Sequence, residues 1–298
     1  MRLTVSVPAT TANLGPGYDR LGLALQLRLR AEALPASTWS VSTEGEGADY
    51  LKQDGGNLIA RASEQYWKLQ DKPSRPLAVR VVNPIPLGRG LGSSAAAIVA
   101  GMALAQLASG AINYDTLFQK AAAMEGHPDN IAPAVYGGLQ VVDQGTPLLA
   151  RRRPLAHNIN LLLVVPEMMK STDELRAVVP PEISPEDEEV TATAYRAVLS
   201  GLGSGDPLKL ARSADDRRHQ PYRLKALPES ARIFHLLQQQ DHIAGVYLSG
   251  AGTTVAGWVV DGSDPGPAVK RALVDQGIAA AVRLIRPDWV GVRGQYWN

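Results

Sequence analysis

A run of glycines set against two serines and a helix constrains this chain more than any other feature. Pro86-Leu-Gly-Arg-Gly-Leu-Gly-Ser-Ser-Ala-Ala96 puts Gly88, Gly90 and Gly92 at alternate positions and then enters an alanine-rich segment, Ala95 to Leu107. Glycine lets backbone N–H groups turn toward one point, because no Cβ obstructs the approach. The first turn of a helix adds unpaired N–H donors and about half a positive charge. Together these make an anion cradle, with phosphate its usual occupant. By itself the loop leaves open a plainer alternative, a serine-capped turn with no ligand. It is neither of two familiar phosphate loops. A P-loop needs Gly-Lys before its Ser or Thr, and Gly92 stands directly before Ser93; a dinucleotide fingerprint needs glycine where Ser93 falls. The cradle is lysine-free.

The surrounding pattern predicts a mixed architecture. Leu3–Val7, Leu21–Ala33, Trp39–Thr43 and Leu77–Val82 alternate as strands, and Thr10–Asp19 between the first two reads as a glycine-rich loop. Helical spacing covers Asn57–Leu69, Ser93–Ala108 and Tyr114–Glu125, with Asn57 and Asn113 as caps. Pro128 and Pro133 are expected to break the chain beyond Glu125. Leu139–Val142 and Ile159–Val165 read as strands. Later come helices over Asp173–Val179, Glu186–Leu199, Leu208–Asp215, Pro228–Gln240 and Ala268–Gln276. Val246–Ser249, Thr254–Val260 and Ala279–Ile285 are the last strands expected. The absence of a regular βαβ rhythm predicts an α+β fold, with a boundary near residue 155.

A chain of 298 residues can hold two domains, and its 45% hydrophobic content supports a full core. A net charge of +1 argues against a nucleic-acid binder, and Arg151-Arg152-Arg153 reads as a solvated edge. With no cysteine there are no disulfides or thiolate metal sites. No apolar run reaches membrane-spanning length and the first residues lack signal-peptide form. The expectation is a cytoplasmic chain with no membrane partner and a possible homodimer.

Phosphoryl chemistry needs a hard cation as well as a cradle, and magnesium takes oxygen ligands. Ser93 opens one helix and Glu125 closes the next. Antiparallel packing of those helices would bring both to one magnesium, whereas an isolated glutamate at a helix end is otherwise only a surface group. His127, Asp129 and Asn130 crowd a proline-marked turn, which can be a cap or a set of substrate contacts. Asn13 and Asp19 do the same in the first glycine loop.

These segments resemble the GHMP kinase superfamily, and within it the homoserine kinase branch. Val7-Pro-Ala-Thr-Thr-Ala-Asn-Leu-Gly-Pro-Gly-Tyr-Asp19 is similar to the branch's N-terminal signature, where Phe is more usual than Tyr18. Pro86–Ala96 is similar to the superfamily phosphate motif, and Glu125-Gly-His-Pro-Asp-Asn130 to the branch's substrate turn. Ser249-Gly-Ala-Gly-Thr-Thr254 is similar to the third superfamily motif, with Thr253 where proline is common.

The resemblance implies a two-domain GHMP-kinase-like fold with its active-site cleft between the domains. Residues 1–155 would form an ATP-binding domain containing a left-handed βαβ unit, and 156–298 a ferredoxin-like domain that closes over substrate. It implies transfer of a phosphoryl group from ATP to the hydroxyl of L-homoserine, a step of threonine biosynthesis, with Mg2+. Ser93 and Glu125 would hold the metal. Pro86, Gly88, Arg89, Gly90, Leu91, Gly92, Ser93 and Ser94 would wrap the phosphates, and Asn57 would lie near adenine. Asn13, Asp19, His127, Asn130, Arg176 and Arg223 would line the homoserine pocket, with Asn130 orienting the hydroxyl. The zwitterion suits them: arginine forks bind a carboxylate through two oxygens, and Asp19 suits the ammonium. No lysine stands at Thr10-Thr11, so no dedicated strong base is implied, and the proton would leave to the transferring phosphate. A mevalonate-pathway or sugar kinase, and a non-catalytic nucleotide binder, are the rival readings.

Overall fold

The computed structural model describes residues 2–297. The first half runs β1 (Arg2–Ala12), β2 (Leu21–Pro35), β3 (Ser40–Gly45), α1 (Leu58–Lys68), β4 (Leu77–Asn83), α2 (Ser93–Leu107), α3 (Tyr114–Glu125), α4 (Pro128–Tyr136), β5 (Leu139–Asp143) and β6 (Leu149–Arg153). The second runs β7 (Asn160–Pro166), α5 (Thr172–Ala177), α6 (Pro185–Ser204), α7 (Pro207–Ala211), a 3-10 turn (Arg212–Asp215), α8 (Gln220–Ala226), α9 (Pro228–Gln238), β8 (Gly245–Leu248), β9 (Val255–Val259), α10 (Gly266–Asp275), β10 (Ala280–Ile285) and β11 (Arg293–Trp297).

One sheet has the order β11-β1-β2-β4-β3, with β5 on the near end of β2 and β6 beside β5. The length of β2 lets it pair β1 along one edge and share the other between β4 and β5. The parallel pair β3/β4 is joined through α1 and forms a βαβ connection in the first half. The second sheet has the order β10-β7-β9-β8, all neighbours antiparallel. With helices inserted after its first and third strands, that order is the ferredoxin-like arrangement expected.

Strand alternation in β7 joins the two halves. Leu161, Leu163 and Val165 pack into the core shared with the first sheet and its helices, while Leu162 and Val164 face a smaller core that includes Phe234, Leu237, Val269 and Leu273. A shared apolar core fixes the cleft walls relative to each other. Helix α2 is buried around nearly its whole circumference, from Ala95 to Leu107. Its residues are small because α1 crosses close: a Cβ on Gly101 would stand 2.2 Å from the Ile59 carbonyl oxygen.

Several sequence expectations need correction. Strand β1 continues through Thr10 and Thr11 to Ala12, pairing with Gly22–Ala24, so only the residues from Asn13 onward turn. Pro128 and Pro133 do not break the chain; they lie inside α4. Pro128 occupies the first turn, where a missing N–H costs nothing. Pro133 frees only the Asp129 carbonyl, against which Gly22 packs so closely that a Cβ there would stand 1.8 Å away. Strand β11 and helix α8 were not expected at all. The tail returns to the first sheet, pairing with β1, and is fastened by Arg28, whose guanidinium meets Asp288 at 2.5 Å and the carbonyls of Val290 and Gly291. The triple arginine forms the exposed edge strand β6, as its charge suggested. Among the described residues no helix is long and apolar enough to cross a membrane.

Candidate active site

Between the two sheets lies a cleft with a cavity volume of about 120 Å³. Its floor is the bend from Gly88 to Ser94, and Gly88, Gly90 and Gly92 all take left-handed backbone angles. Gly92 caps α2 without any side-chain hydrogen bond. None of the backbone N–H groups from Leu87 to Ala95 donates to another described residue. A row of unpaired donors at the start of a fifteen-residue helix is a strong anion site.

The bend is held from below by the Ser249–Thr254 motif. A Cβ on Gly90 would stand 2.1 Å from the Ser249 carbonyl oxygen, so only glycine fits. The Ser249 hydroxyl donates to the Gly90 carbonyl at 2.7 Å. Having given its one proton there, Ser249 must accept from Thr11 (2.8 Å), and Thr11 then accepts from the Tyr247 hydroxyl (3.2 Å). This buried relay ties β1, the bend and β8 together. Thr253 adds a bond that proline could not make, from its hydroxyl to the Met168 carbonyl at 2.9 Å.

Glu125, the last residue of α3, reaches the first turn of α2. Its carboxylate accepts from the Ser94 hydroxyl at 2.7 Å, while Ser93 lines the same cleft beside it. The partner in this structure is thus Ser94, one residue beyond the serine expected. Burial pushes the Glu125 carboxyl upward, and the Ser94 hydrogen bond opposes that. A carboxylate at a helix C-terminus is also disfavoured by the dipole. The group is held where ionisation is costly.

Among the described residues no cluster of three or more acidic or histidine side chains can cage a metal. The donor set at Glu125, Ser93 and Ser94 is all oxygen with one carboxylate. That suits magnesium, which keeps most of its shell as water and phosphate oxygens.

At the other end of the cleft the expected substrate residues converge. Asp19 and Arg176 pair at 2.5 Å, and Arg176 also donates from Nε to His127 Nε2 at 3.0 Å. His127 therefore carries its proton on Nδ1, and burial followed by the Arg176 charge lowers its basicity. Asn13 donates to the Gly250 carbonyl (2.7 Å) and accepts from the Asp19 amide (3.0 Å), both in left-handed turn geometry. Asn130 accepts from Thr10 at 2.8 Å, and its amide NH2 has no acceptor among the described residues. Arg223 is buried, bonded to the Leu175 carbonyl, the Gly250 carbonyl and His219 Nδ1, and its Nη2 makes no bond to a described residue.

Two expected residues are placed differently from the rest. The Arg89 guanidinium turns away from the bend to the carbonyls of Pro166, Leu87 and Glu167. Asn57 caps α1 and bonds the Lys52 carbonyl. It lies in a second, mainly apolar pocket of about 450 Å³ that opens onto the cleft at Gly88, Ser93 and Ser94.

Nothing in the sequence marked Tyr18 or Lys170 as site residues, and Asp129 stood out only as one member of the polar turn with His127 and Asn130. The Tyr18 ring stacks on His219 and faces the guanidiniums of Arg176, Arg218 and Arg223 at 5.2–5.6 Å. Asp129 is 2% exposed, and its Oδ1 has no hydrogen-bond partner. Burial, with Asp19 adding to it, pushes the Asp129 carboxyl up to about 7. Its sequence signal was its place in the polar turn with His127 and Asn130, which does not show that it is buried.

The GHMP kinases N terminal domain matches residues 57–138 and the GHMP kinases C terminal domain matches 198–279. A homoserine kinase of Moorella thermoacetica is 34% identical over 95% of this chain and 96% of its own length. One from Clavibacter michiganensis is 40% identical over 89% of this chain and 84% of its own. Among solved structures, homoserine kinase from Cytophaga hutchinsonii superposes with a TM-score of 0.85 at 24% identity, covering 99% of this chain and 97% of that one. Mevalonate kinase from L. major shares the fold at a TM-score of 0.73 and 16% identity over 95% of both chains.

Proposed function

We propose, since the chain belongs to the homoserine kinases of the GHMP kinase family, that its cleft carries out their reaction through the residues assembled there. The protein phosphorylates the side-chain hydroxyl of L-homoserine with ATP. The observation that carries the assignment of residues is the row of unpaired amides from Leu87 to Ala95 facing the zwitterion-matched wall of Asp19, Asp129, Asn130, Arg176 and Arg223.

In this reading the bend binds the triphosphate and the apolar pocket around Asn57 takes the adenosine. Ser93, Ser94 and Glu125 are the residues that would hold magnesium, which when bound would supply charge neutralisation for the phosphoryl oxygens. Homoserine's carboxylate meets Arg223 Nη2 and the Arg176 fork. Its ammonium lies between Asp19 and Asp129, and in the free protein the Asp19–Arg176 pair stands in for those two charges. The Asn130 NH2 donates to the acceptor oxygen, and Thr10 fixes which way that amide points. Transfer of this kind rests on positioning and charge rather than on a strong base, and the proton passes to the transferred phosphoryl group. The domains divide near residue 155, with β11 returned to the first.

Arg223→Lys is expected to raise the KM for homoserine by roughly tenfold or more while kcat changes little, since a lysine keeps charge but loses the fork. Arg223→Ala would also strip partners from His219 and two carbonyls, so its Tm should fall as well. A normal KM in the lysine variant would remove Arg223 from the carboxylate site. The reading as a whole is tested by a panel of homoserine, mevalonate, galactose and threonine with magnesium ATP and a coupled ADP readout. Turnover is expected on homoserine; turnover confined to another acceptor would overturn it.

A further inference from the structure

The phosphate bend contains no lysine, yet a bound triphosphate carries several negative charges. Among the described residues, four Lys and Arg residues line the cleft, Arg89, Lys170, Arg176 and Arg223, while Lys52 and Arg61 line the adjoining apolar pocket. Three are committed. Arg89 is held by three carbonyls, Arg176 by Asp19 and His127, and Arg223 by two carbonyls and a histidine. Arg176 and Arg223 also sit at the amino-acid end. Of the four, Lys170 has only a weak tie, a 3.4 Å contact with Glu174 one turn on, with 43% and 60% of the two side chains exposed. Exposed pairs of this kind hold little energy and exchange readily.

The backbone that carries Lys170 is, by contrast, clamped. Between β7 and α5 the strap 166–170 is bonded at four points. Arg89 donates to the carbonyls of Pro166 (2.9 Å) and Glu167 (2.8 Å), and Thr253 donates to that of Met168 (2.9 Å). The Lys170 amide donates to the Gly88 carbonyl at 3.2 Å, on the bend itself. So the second half of the chain brings a lysine to the first glycine of the cradle on a fixed support, with a flexible side chain free to swing. This also gives the Arg89 side chain a purpose: two of its three hydrogen bonds hold the strap.

We propose that Lys170 supplies in space the cation that the bend lacks in sequence, leaving Glu174 to pair with the terminal phosphate of the nucleotide. The proposal rests on the reading of the bend as an ATP site. Its test is binding of a nonhydrolysable ATP analogue and of ADP, each with magnesium, to the parent chain and to Lys170→Met, Lys170→Arg and Glu174→Gln. Kinetics with homoserine run alongside. Methionine keeps the apolar stem and removes the charge. Lys170→Met should weaken the analogue about tenfold and ADP no more than about twofold, a charge-assisted contact being lost to one ligand only. Lys170→Arg should restore the analogue to within about threefold, and Glu174→Gln should bind it at least as tightly as the parent. The proposal is overturned if Lys170→Met affects neither ligand or both equally, or if Glu174→Gln reproduces the loss. An unaffected Lys170→Met in a chain that still phosphorylates homoserine sinks this proposal alone. A parent chain that binds neither nucleotide overturns the ATP reading together with it.

Discussion

Glu125→Gln will lower kcat by roughly two to three orders of magnitude and move the magnesium titration to higher concentration, because a metal's charge stabilisation amounts to several kcal/mol. The substitution is a clean one. Glutamine has the same shape, and its Oε1 can still accept from Ser94, so the contact between α3 and α2 survives. What disappears is a negative charge held against burial at the C-terminal end of α3, where neither the dipole nor the surroundings favour it. The variant should therefore be as stable as the parent or slightly more so. That pairing of lost activity with retained Tm separates a cation ligand from a structural glutamate. An unchanged kcat and an unchanged magnesium titration would remove Glu125 from the metal. Ser93→Ala gives the matching comparison with Ser94→Ala, since the structure bonds Glu125 to the second serine and the resemblance points to the first.

Asp129→Asn will stabilise the protein in a pH-dependent way while weakening its grip on homoserine. The direction of the shift sets the sign. Folding raises the Asp129 carboxyl from its ordinary value to about 7, so the ionised group is worse off in the fold than in the unfolded chain. Its contribution is fully present below the unfolded pKa, near 4, and is lost as pH rises through about 7. An asparagine has no such loss. Relative to the parent, the variant should gain on the order of 3 kcal/mol between about pH 4.5 and about pH 8. Comparing the two pH values cancels any fixed cost of burying the amide. Binding should move the other way. A substrate ammonium beside Asp129 favours the carboxylate, so the parent's KM for homoserine should fall as pH rises through about 7. The variant's profile should be flat there. Equal pH dependence of Tm in both chains would show that Asp129 does not titrate in this range. A stabilised variant with a normal KM would detach it from the ammonium site.

The bend was legible before the fold because alternate glycines followed by serine and a helix leave few other uses for that much backbone freedom. The order of the second sheet came from resemblance rather than from periodicity. Elements whose stability comes from distant partners were hidden. Arg-Gly-Gln-Tyr-Trp has no alternation to mark β11, which forms because β1 has a free edge and Arg28 holds the approach. Helix α8 starts His-Gln-Pro, which reads as a turn, yet Asp216 accepts from the His219 and Gln220 amides and fixes its first turn. That turn is what carries Arg223 to the cleft, so its motif could be named while its burial could not. Asp129 was visible as a member of the polar turn, but not as a buried carboxyl with an unpaired oxygen. Its isolation depends on α4 packing onto β2, which two prolines seemed to forbid. Lys170 was invisible for a simpler reason: the loop it serves lies about eighty residues away in sequence.

The central claim is geometric, that one cleft holds a triphosphate on the amides of Gly88–Ser94 and an amino acid against Arg176, Arg223 and Asn130. The direct measurement is a crystal structure with magnesium, a nonhydrolysable ATP analogue and homoserine. The expected result is triphosphate density on those amides, a cation at Glu125, and the homoserine hydroxyl beneath Asn130 in line with the terminal phosphate. Nucleotide density bound elsewhere, with the bend open to solvent, would contradict it.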